Sequence, residues 1–144
     1  MRRIFLASFL GLTLLVGAIG PVAAPGDSRH QQVTVDVTGV AGAGLGSANS
    51  SYMWGYVKAV HVDYGAGITS TTDITLATGS PANTIMVKSN SLTDAWYYPS
   101  VQFTGATGAA VSGAYGRFPV DDYVVVQAGQ SSTGTITVTI YYGQ

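Results

Sequence analysis

The last segment of the chain alternates strictly between apolar and polar side chains. Ile136, Val138 and Ile140 occupy every second position, and threonines fill the positions between them. Because successive side chains of a β-strand point to opposite faces of a sheet, this two-residue period predicts a strand with one buried and one solvated face. Valines alternate with Thr and Asp in the same way at 33–38. A body that begins and ends with this period is expected to fold as β-sheet.

The composition leaves few residues from which a helix could be built. Glu is absent, Lys occurs only at Lys58 and Lys88, and charged residues make up 9% of the chain. β-Branched and aromatic residues, which favour strands, are abundant instead. Strand patterns and turn signals alternate along the body, and no helix pattern follows the N-terminal segment. We therefore predict an all-β fold, a single β-sandwich or jelly roll of about 7–8 short antiparallel strands.

The patterns also place individual strands and loops. Residues 56–64 are apolar on both faces, which predicts a central strand, and the Gly-rich stretches 39–51 and 105–116 are predicted loops. Ile85 and Val87 are expected to point inward from one short strand. Another strand is predicted at 96–103, with an edge position or a bulge at Pro99. Residues 122–127 and 133–142 are predicted to form a closing hairpin.

The N-terminal segment is predicted to be a leader. Arg2 and Arg3 precede an uncharged, apolar stretch that ends in small residues at 22–24, the pattern of a secretory signal peptide. A stretch of about 20 apolar residues is also long enough to span a bilayer. A cleaved signal peptide, a retained membrane anchor and an arm packed within an assembly remain open. We assign 1–24 to the leader, 25–32 to a polar linker and 33–144 to the β-domain.

Charge and cysteine content exclude several functions. The formal net charge is −1 and no basic cluster occurs, so a nucleic-acid partner is not expected. The chain has no Cys and therefore no disulfide framework. Membrane contact is expected only if the leader is retained, and export only if the leader acts as a signal peptide.

Candidate catalytic groups are few. His61 and Asp63 share a strand face and could act as a base and its orienting partner, although a cross-strand polar contact is the favoured interpretation. Asp121 and Asp122 are adjacent, so in a strand their side chains point to opposite faces, and solvation of a strand end is favoured over a calcium site. We predict no catalytic residue, no metal site and no cofactor, and hence a protein that is not an enzyme.

The aromatic residues are the stronger candidates for a binding surface. One group alternates within a strand and the other is consecutive, so at least one ring is expected to face solvent or a neighbour. Exposed Tyr and Trp side chains anchor protein interfaces and also contact sugar rings. A packed core is the alternative role for these rings, and Asn49-Ser50-Ser51 is a formal glycosylation sequon. The candidate interface residues are Tyr52, Trp54, Tyr56, Trp96, Tyr97 and Tyr98.

Residues 55–142 resemble small β-rich virion proteins encoded by tailed bacteriophages and prophages. The resemblance is carried by Gly-Tyr-Val-Lys-Ala-Val-His-Val-Asp-Tyr at 55–64, Asp-Ala-Trp-Tyr-Tyr-Pro at 94–99 and Arg-Phe-Pro-Val-Asp-Asp-Tyr-Val-Val-Val at 117–126. It implies a protein that decorates a capsid or joins a tail, often as a trimer, and it implies no catalytic residue. The leader departs from this pattern, because phage proteins that assemble in the cytoplasm need no export signal.

Together these observations predict a structural component of an extracellular or virion assembly. The resemblance favours a capsid decoration-type protein that associates with copies of itself, such as a trimer, and with other assembly proteins. Its expected location is extracellular or on a virion surface. A secreted β-sandwich module that binds a glycan or a cell surface is the alternative.

Overall fold

The computed structural model describes residues 28–144, and all the regular secondary structure in that range is β-strand. The strands are β1 (Ser28–Val37), β2 (Gly44–Asn49), β3 (Met53–Tyr64), β4 (Asp73–Thr78), β5 (Thr84–Lys88), β6 (Ala95–Tyr97), β7 (Ser100–Thr104), β8 (Ala110–Asp122), β9 (Val124–Ser131) and β10 (Gly134–Gly143). The predicted all-β class is confirmed. Within these residues there is no helix with the length and apolar character needed to cross a membrane. The predicted leader at 1–24 and the linker residues 25–27 lie outside the described range.

The ten strands form two antiparallel sheets. The six-stranded sheet has the order β1-β10-β3-β8-β7, and β6 pairs with β3 beside this path. The four-stranded sheet has the order β2-β9-β4-β5. The strand at 56–64, predicted to be central, lies between β10 on one side and β8 and β6 on the other.

One apolar core lies between the buried faces of the two sheets. Its fully buried members alternate along their strands, as the two-residue period requires. The six-stranded sheet contributes, among others, Val35, Val57, Val60, Val62, Ile136 and Ile140, and the four-stranded sheet contributes Ile74, Leu76, Val124 and Val126. Burial of one such side chain stabilises the fold by about 1.5–3 kcal/mol.

Two Gly-rich segments predicted to be loops contain strands. β2 lies within 39–51, and the first half of β8 lies within 105–116. In β2 the small side chains permit a close approach, because a Cβ on Gly46 would lie 2.6 Å from the carbonyl oxygen of Asp36 in β1. Gly, Ala and Ser do not form an apolar–polar alternation, so the sequence pattern did not predict these two strands although their backbones pair.

The linker prediction for 28–32 is also wrong, because β1 begins at Ser28. Residues 28–32 pair in register with 139–143 of β10. Their polarity has a local use at Gln31, which accepts a hydrogen bond from the Ser51 amide (2.8 Å) and donates one to the Tyr52 carbonyl (3.3 Å). This side chain ties the start of β1 to the segment that leads into β3.

Three further strand predictions need correction. A register shift between β4 and β5 brings Met86 onto the core, so Val87 is exposed instead of inward. The strand predicted at 96–103 is divided at Tyr98 and Pro99 into β6 and β7, consistent with the missing amide hydrogen of proline. The closing hairpin does not form, because β9 pairs in the four-stranded sheet and β10 in the six-stranded sheet. A short connection can join two paired strands of one sheet or pass from one sheet to the other, and the alternation of the two strands does not distinguish these two cases.

Candidate functional site: an aromatic row on the six-stranded sheet

Four rings lie side by side on the outer face of the six-stranded sheet. The ring centroids of His30 and Tyr141 are 5.8 Å apart, those of Tyr141 and Trp96 are 5.2 Å apart, and those of Trp96 and His61 are 4.8 Å apart. The rings are tilted by 33–47° to each other. These spacings fall in the range of favourable aromatic contacts. We call these four residues the aromatic row.

Strand register brings the row together from four different strands. His30 in β1 is opposite Tyr141 in β10, and His61 in β3 is opposite Trp96 in β6. β3 places Ala59 opposite Tyr141, and this small side chain leaves room for the Trp96 ring to reach Tyr141 across the strand. The row therefore depends on long-range pairing and not on any local motif.

Five of the six predicted interface residues are at the surface. Trp96 belongs to the aromatic row and is 50% exposed. Trp54 and Tyr56, which are 57% and 47% exposed, lie opposite Asp121 and Pro119 of β8. Tyr52 and Tyr98 are exposed in the segments that flank β3 and β6. Within residues 28–144, none of the other four rings stacks on the aromatic row.

Tyr97 has a different position from its two neighbours. It lies opposite Val60 in β3 and packs, partly buried, against the apolar core. Consecutive residues of a strand face opposite sides, so the outward position of Trp96 turns Tyr97 inward. The structure thus places Tyr97 in the packing of the fold.

The predicted interface residues did not include His30, Tyr141 or His61, the last of which was considered only as a catalytic candidate. His30 falls in the stretch assigned to the linker, so its strand was not recognised. Tyr141 carried a usable signal, because the alternation of β10 already places it on the face opposite Ile140 and Tyr142. Its nearness to Trp96 could not be read from the sequence, since the register of β10 against β3 includes a shift at Tyr141.

A groove opens beside Trp54 and Tyr56, where the end of the six-stranded sheet, at the start of β3 and the end of β8, meets the turn between β4 and β5. It has a volume of about 730 Å³, and Asp121, Asp122 and Pro81 also line it. The hydroxyl of Tyr52 donates a hydrogen bond to Oδ1 of Asp121. This hydrogen bond, followed by desolvation and the nearby carboxylates, raises the pKa of Tyr52.

The two adjacent carboxylates are engaged separately. Asp122 accepts hydrogen bonds from the amides of Ser80 (2.6 Å) and Tyr123 (2.7 Å), whereas Asp121 accepts the Tyr52 hydroxyl. No group of His, Asp, Glu or Cys side chains in the described part of the chain is arranged to hold a metal ion. The carboxylates therefore act here as hydrogen-bond acceptors that hold loops at the sheet end.

The other candidate pair, His61 and Asp63, is not joined in the structure. The His61 ring contacts Trp96, and Asp63 lies opposite Thr137 on the same outer face. Within 28–144 no hydrogen bond connects the two side chains. What His61 contributes to this face is the last ring of the aromatic row, tilted by 47° against Trp96.

The chemistry of the face is that of a contact surface. Flat rings offer apolar area, and the Tyr hydroxyl and the ring nitrogens of Trp and His offer hydrogen bonds at their edges. Such a surface suits another protein surface or the apolar face of a sugar ring. No family model, curated protein or solved structure matches the chain.

Proposed function

We propose that the protein is a non-enzymatic structural component of an extracellular or virion assembly, of the capsid decoration type. In this proposal its two sheets form a β-sandwich with jelly-roll character, and copies of the chain associate through the outer face of the six-stranded sheet. The observation that carries the proposal is the aromatic row, a set of rings in mutual contact that stays partly open to solvent. The resemblance of residues 55–142 to small virion proteins supports the same assignment.

Preorganisation makes this face suited to association. Each ring of the row already contacts its neighbour, so little rotamer freedom remains to be lost when a partner arrives. Short, uncharged threonines of β1 and β10 surround the row, and the carboxylates of Asp36 and Asp63 lie on the same face. An interface over the rings and threonines is desolvated without stranding charges when both carboxylates stay at its solvated rim.

The exposed area of the aromatic rings is smaller than the area of a stable interface, so more of the outer face must be buried when copies associate. A fully buried Tyr or Trp covers about 150–250 Å², so the three half-exposed rings Trp54, Tyr56 and Trp96 offer on the order of 300 Å². A standard interface covers about 800 Å² on each partner. The threonine surface around the rings must therefore supply the remainder, and the interface spans several strands.

Sedimentation equilibrium of the full-length protein tests this proposal. We expect a concentration-dependent oligomer that is weakened at least about tenfold by Trp96→Ala, since central aromatic residues dominate such interfaces. Leu45→Ala, made in the same full-length protein, is the control, because it removes an exposed apolar side chain from the four-stranded sheet and leaves the aromatic row unchanged. A wild-type protein that stays monomeric, or equal weakening by both variants, would contradict the proposal.

A secreted glycan-binding module is the second candidate, and the groove beside Trp54 and Tyr56 favours it. The groove combines two aromatic side chains with carboxylates and is open to solvent. Quenching of Trp fluorescence by neutral oligosaccharides, lost in Trp54→Ala and accompanied by a monomeric wild type, would favour this function over assembly.

A further inference from the structure

The edge of β3 is shared by two different strands. β8 pairs with it along 53–57, and β6 pairs with it along 60–62. At Lys58 and Ala59 neither strand pairs with this edge, and Tyr98 and Pro99 connect β6 to β7 at the same level. The strands separate here and leave an open groove of about 350 Å³. We call it the fork groove; it is lined by Lys58, Tyr98, Pro99, Ser100, Tyr115 and Arg117.

Strand register brings Arg117 into this groove and Lys58 to its rim. Val57 pairs with Phe118, and Lys58 and Arg117 are the next residues of the two strands, where the pairing ends. Arg117 is also opposite Ser100 of β7. The ammonium of Lys58 donates a hydrogen bond to Oγ of Ser28 (3.1 Å) in β1, across β10 from the groove, whereas the side chain of Arg117 forms no hydrogen bond or ion pair with any residue of 28–144.

The charge of the fork groove contrasts with that of the rest of the described chain. Residues 28–144 contain four basic side chains, of which two line this groove. No carboxylate is among the lining residues, although six aspartates occur elsewhere in the same range. Arg117 in the groove and Lys58 at its rim, both without an acidic partner, give the site a positive potential.

The walls of the fork groove are aromatic. Tyr98 is 73% exposed and Tyr115 is 60% exposed, and Pro99 adds a further apolar surface. A simple inorganic anion would use the cations and leave these rings without a function. A ligand with both an acidic group and a ring uses all of them.

We propose that the fork groove binds an acidic saccharide. The guanidinium of Arg117 pairs with the carboxylate or sulfate of the sugar, since its planar fork of donors matches the geometry of such groups. Lys58 at the rim adds a second, more distant positive charge, and Tyr98 or Tyr115 packs against the apolar face of the sugar ring. The groove shares no residue with the aromatic row, so Arg117→Ala tests this inference without altering any ring of the row.

Calorimetric titration of the full-length protein with an oligogalacturonate tests the inference. We expect saturable binding of the free acid and at least about tenfold weaker binding of its methyl ester, which keeps the sugar rings and removes the charge. Arg117→Ala should weaken binding of the acid by about tenfold or more. Lys88→Ala is the matched control, because it removes a cation from the four-stranded sheet, and it should leave the affinity unchanged.

Two variants separate the roles within the groove. Arg117→Lys keeps the charge but loses the two-pronged geometry, so we expect an affinity between those of the wild type and Arg117→Ala. Tyr98→Ala should weaken binding of the oligosaccharide while the circular dichroism of the protein stays unchanged. Equal affinity for acid and methyl ester, equal affinity for inorganic sulfate, or no effect of Arg117→Ala would each overturn the proposal.

Discussion

Contacts of single residues explain how the chain passes from one sheet to the other. β8 ends at Asp122 and β9 begins at Val124, so Tyr123 is the point at which the chain leaves the six-stranded sheet for the four-stranded one. The amide of Gly79 donates a hydrogen bond to the Tyr123 carbonyl at 3.0 Å. The Tyr123 ring lies directly over Gly79, in the space that a β-carbon would occupy. Glycine is thus required at this crossing for space.

Replacing Gly79 with Ala should therefore destabilise the fold. The new methyl group must displace the Tyr123 ring, and overpacking of this kind costs about 1–3 kcal/mol. Chemical denaturation measures the loss, with Gly129→Ala as the control, since a methyl group there makes only an ordinary contact of 3.7 Å with Leu45. In a Tyr123→Ala background the cost of Gly79→Ala should disappear. A cost that persists in that background would show that another contact is responsible.

Strand β6 shows how alternation gives three consecutive aromatic residues, Trp96, Tyr97 and Tyr98, different positions in the fold. Trp96 joins the aromatic row, while Tyr97 packs against the core and Tyr98 lies in the connection to β7. No charged residue interrupts these three aromatic residues, so their sequence alone does not show which side chains face the core and which face solvent. The pairing of β6 with the second half of β3 decides the matter, because it sets Tyr97 opposite the buried Val60.

This division predicts different costs for two adjacent, identical side chains. Tyr97→Ala should lower the free energy of unfolding by about 2 kcal/mol, roughly half the cost of removing a fully buried aromatic ring. Tyr98→Ala, at an exposed position, should change it by less than about 0.5 kcal/mol. Urea denaturation of the two variants checks the difference. Equal losses, or a larger loss for Tyr98→Ala, would place Tyr97 outside the core.

Elements were predictable from the sequence where side chains differ between the two faces. β10 and the later part of β1 have a clear apolar alternation, and both were predicted. β2 consists largely of Gly, Ala and Ser, and its pairing depends on backbone contacts that leave no mark in the pattern. The start of β1 was missed for a related reason, because polar residues at 28–32 can occupy a strand when its end is solvated.

The whole molecule has two sheets around one core, and this arrangement determines which surfaces remain available. Apolar side chains of both sheets are used in the shared core, so their outer faces are free to carry binding surfaces. That at least one of the predicted interface rings faces outward could be anticipated from the sequence, but which ring does so depends on the pairing of β6 and β8 with β3. The aromatic row and the fork groove could not be anticipated, because each depends on the lateral order of strands that are far apart in the chain.

Two binding surfaces of different chemistry should respond differently to salt in the same protein. Association through the aromatic row buries uncharged surface, so it should persist or strengthen from about 0.1 M to 1 M salt, as the screening length falls from about 10 Å to 3 Å. Binding of oligogalacturonate in the fork groove should weaken over the same range, because it depends on Lys58 and Arg117. Trp96→Ala should abolish only the first response and Arg117→Ala only the second, as measured by sedimentation and calorimetry at each salt concentration. If Arg117→Ala dissociated the oligomer, the interface would include the fork groove; if salt dissociated it, the interface would depend on charge and not on the aromatic row.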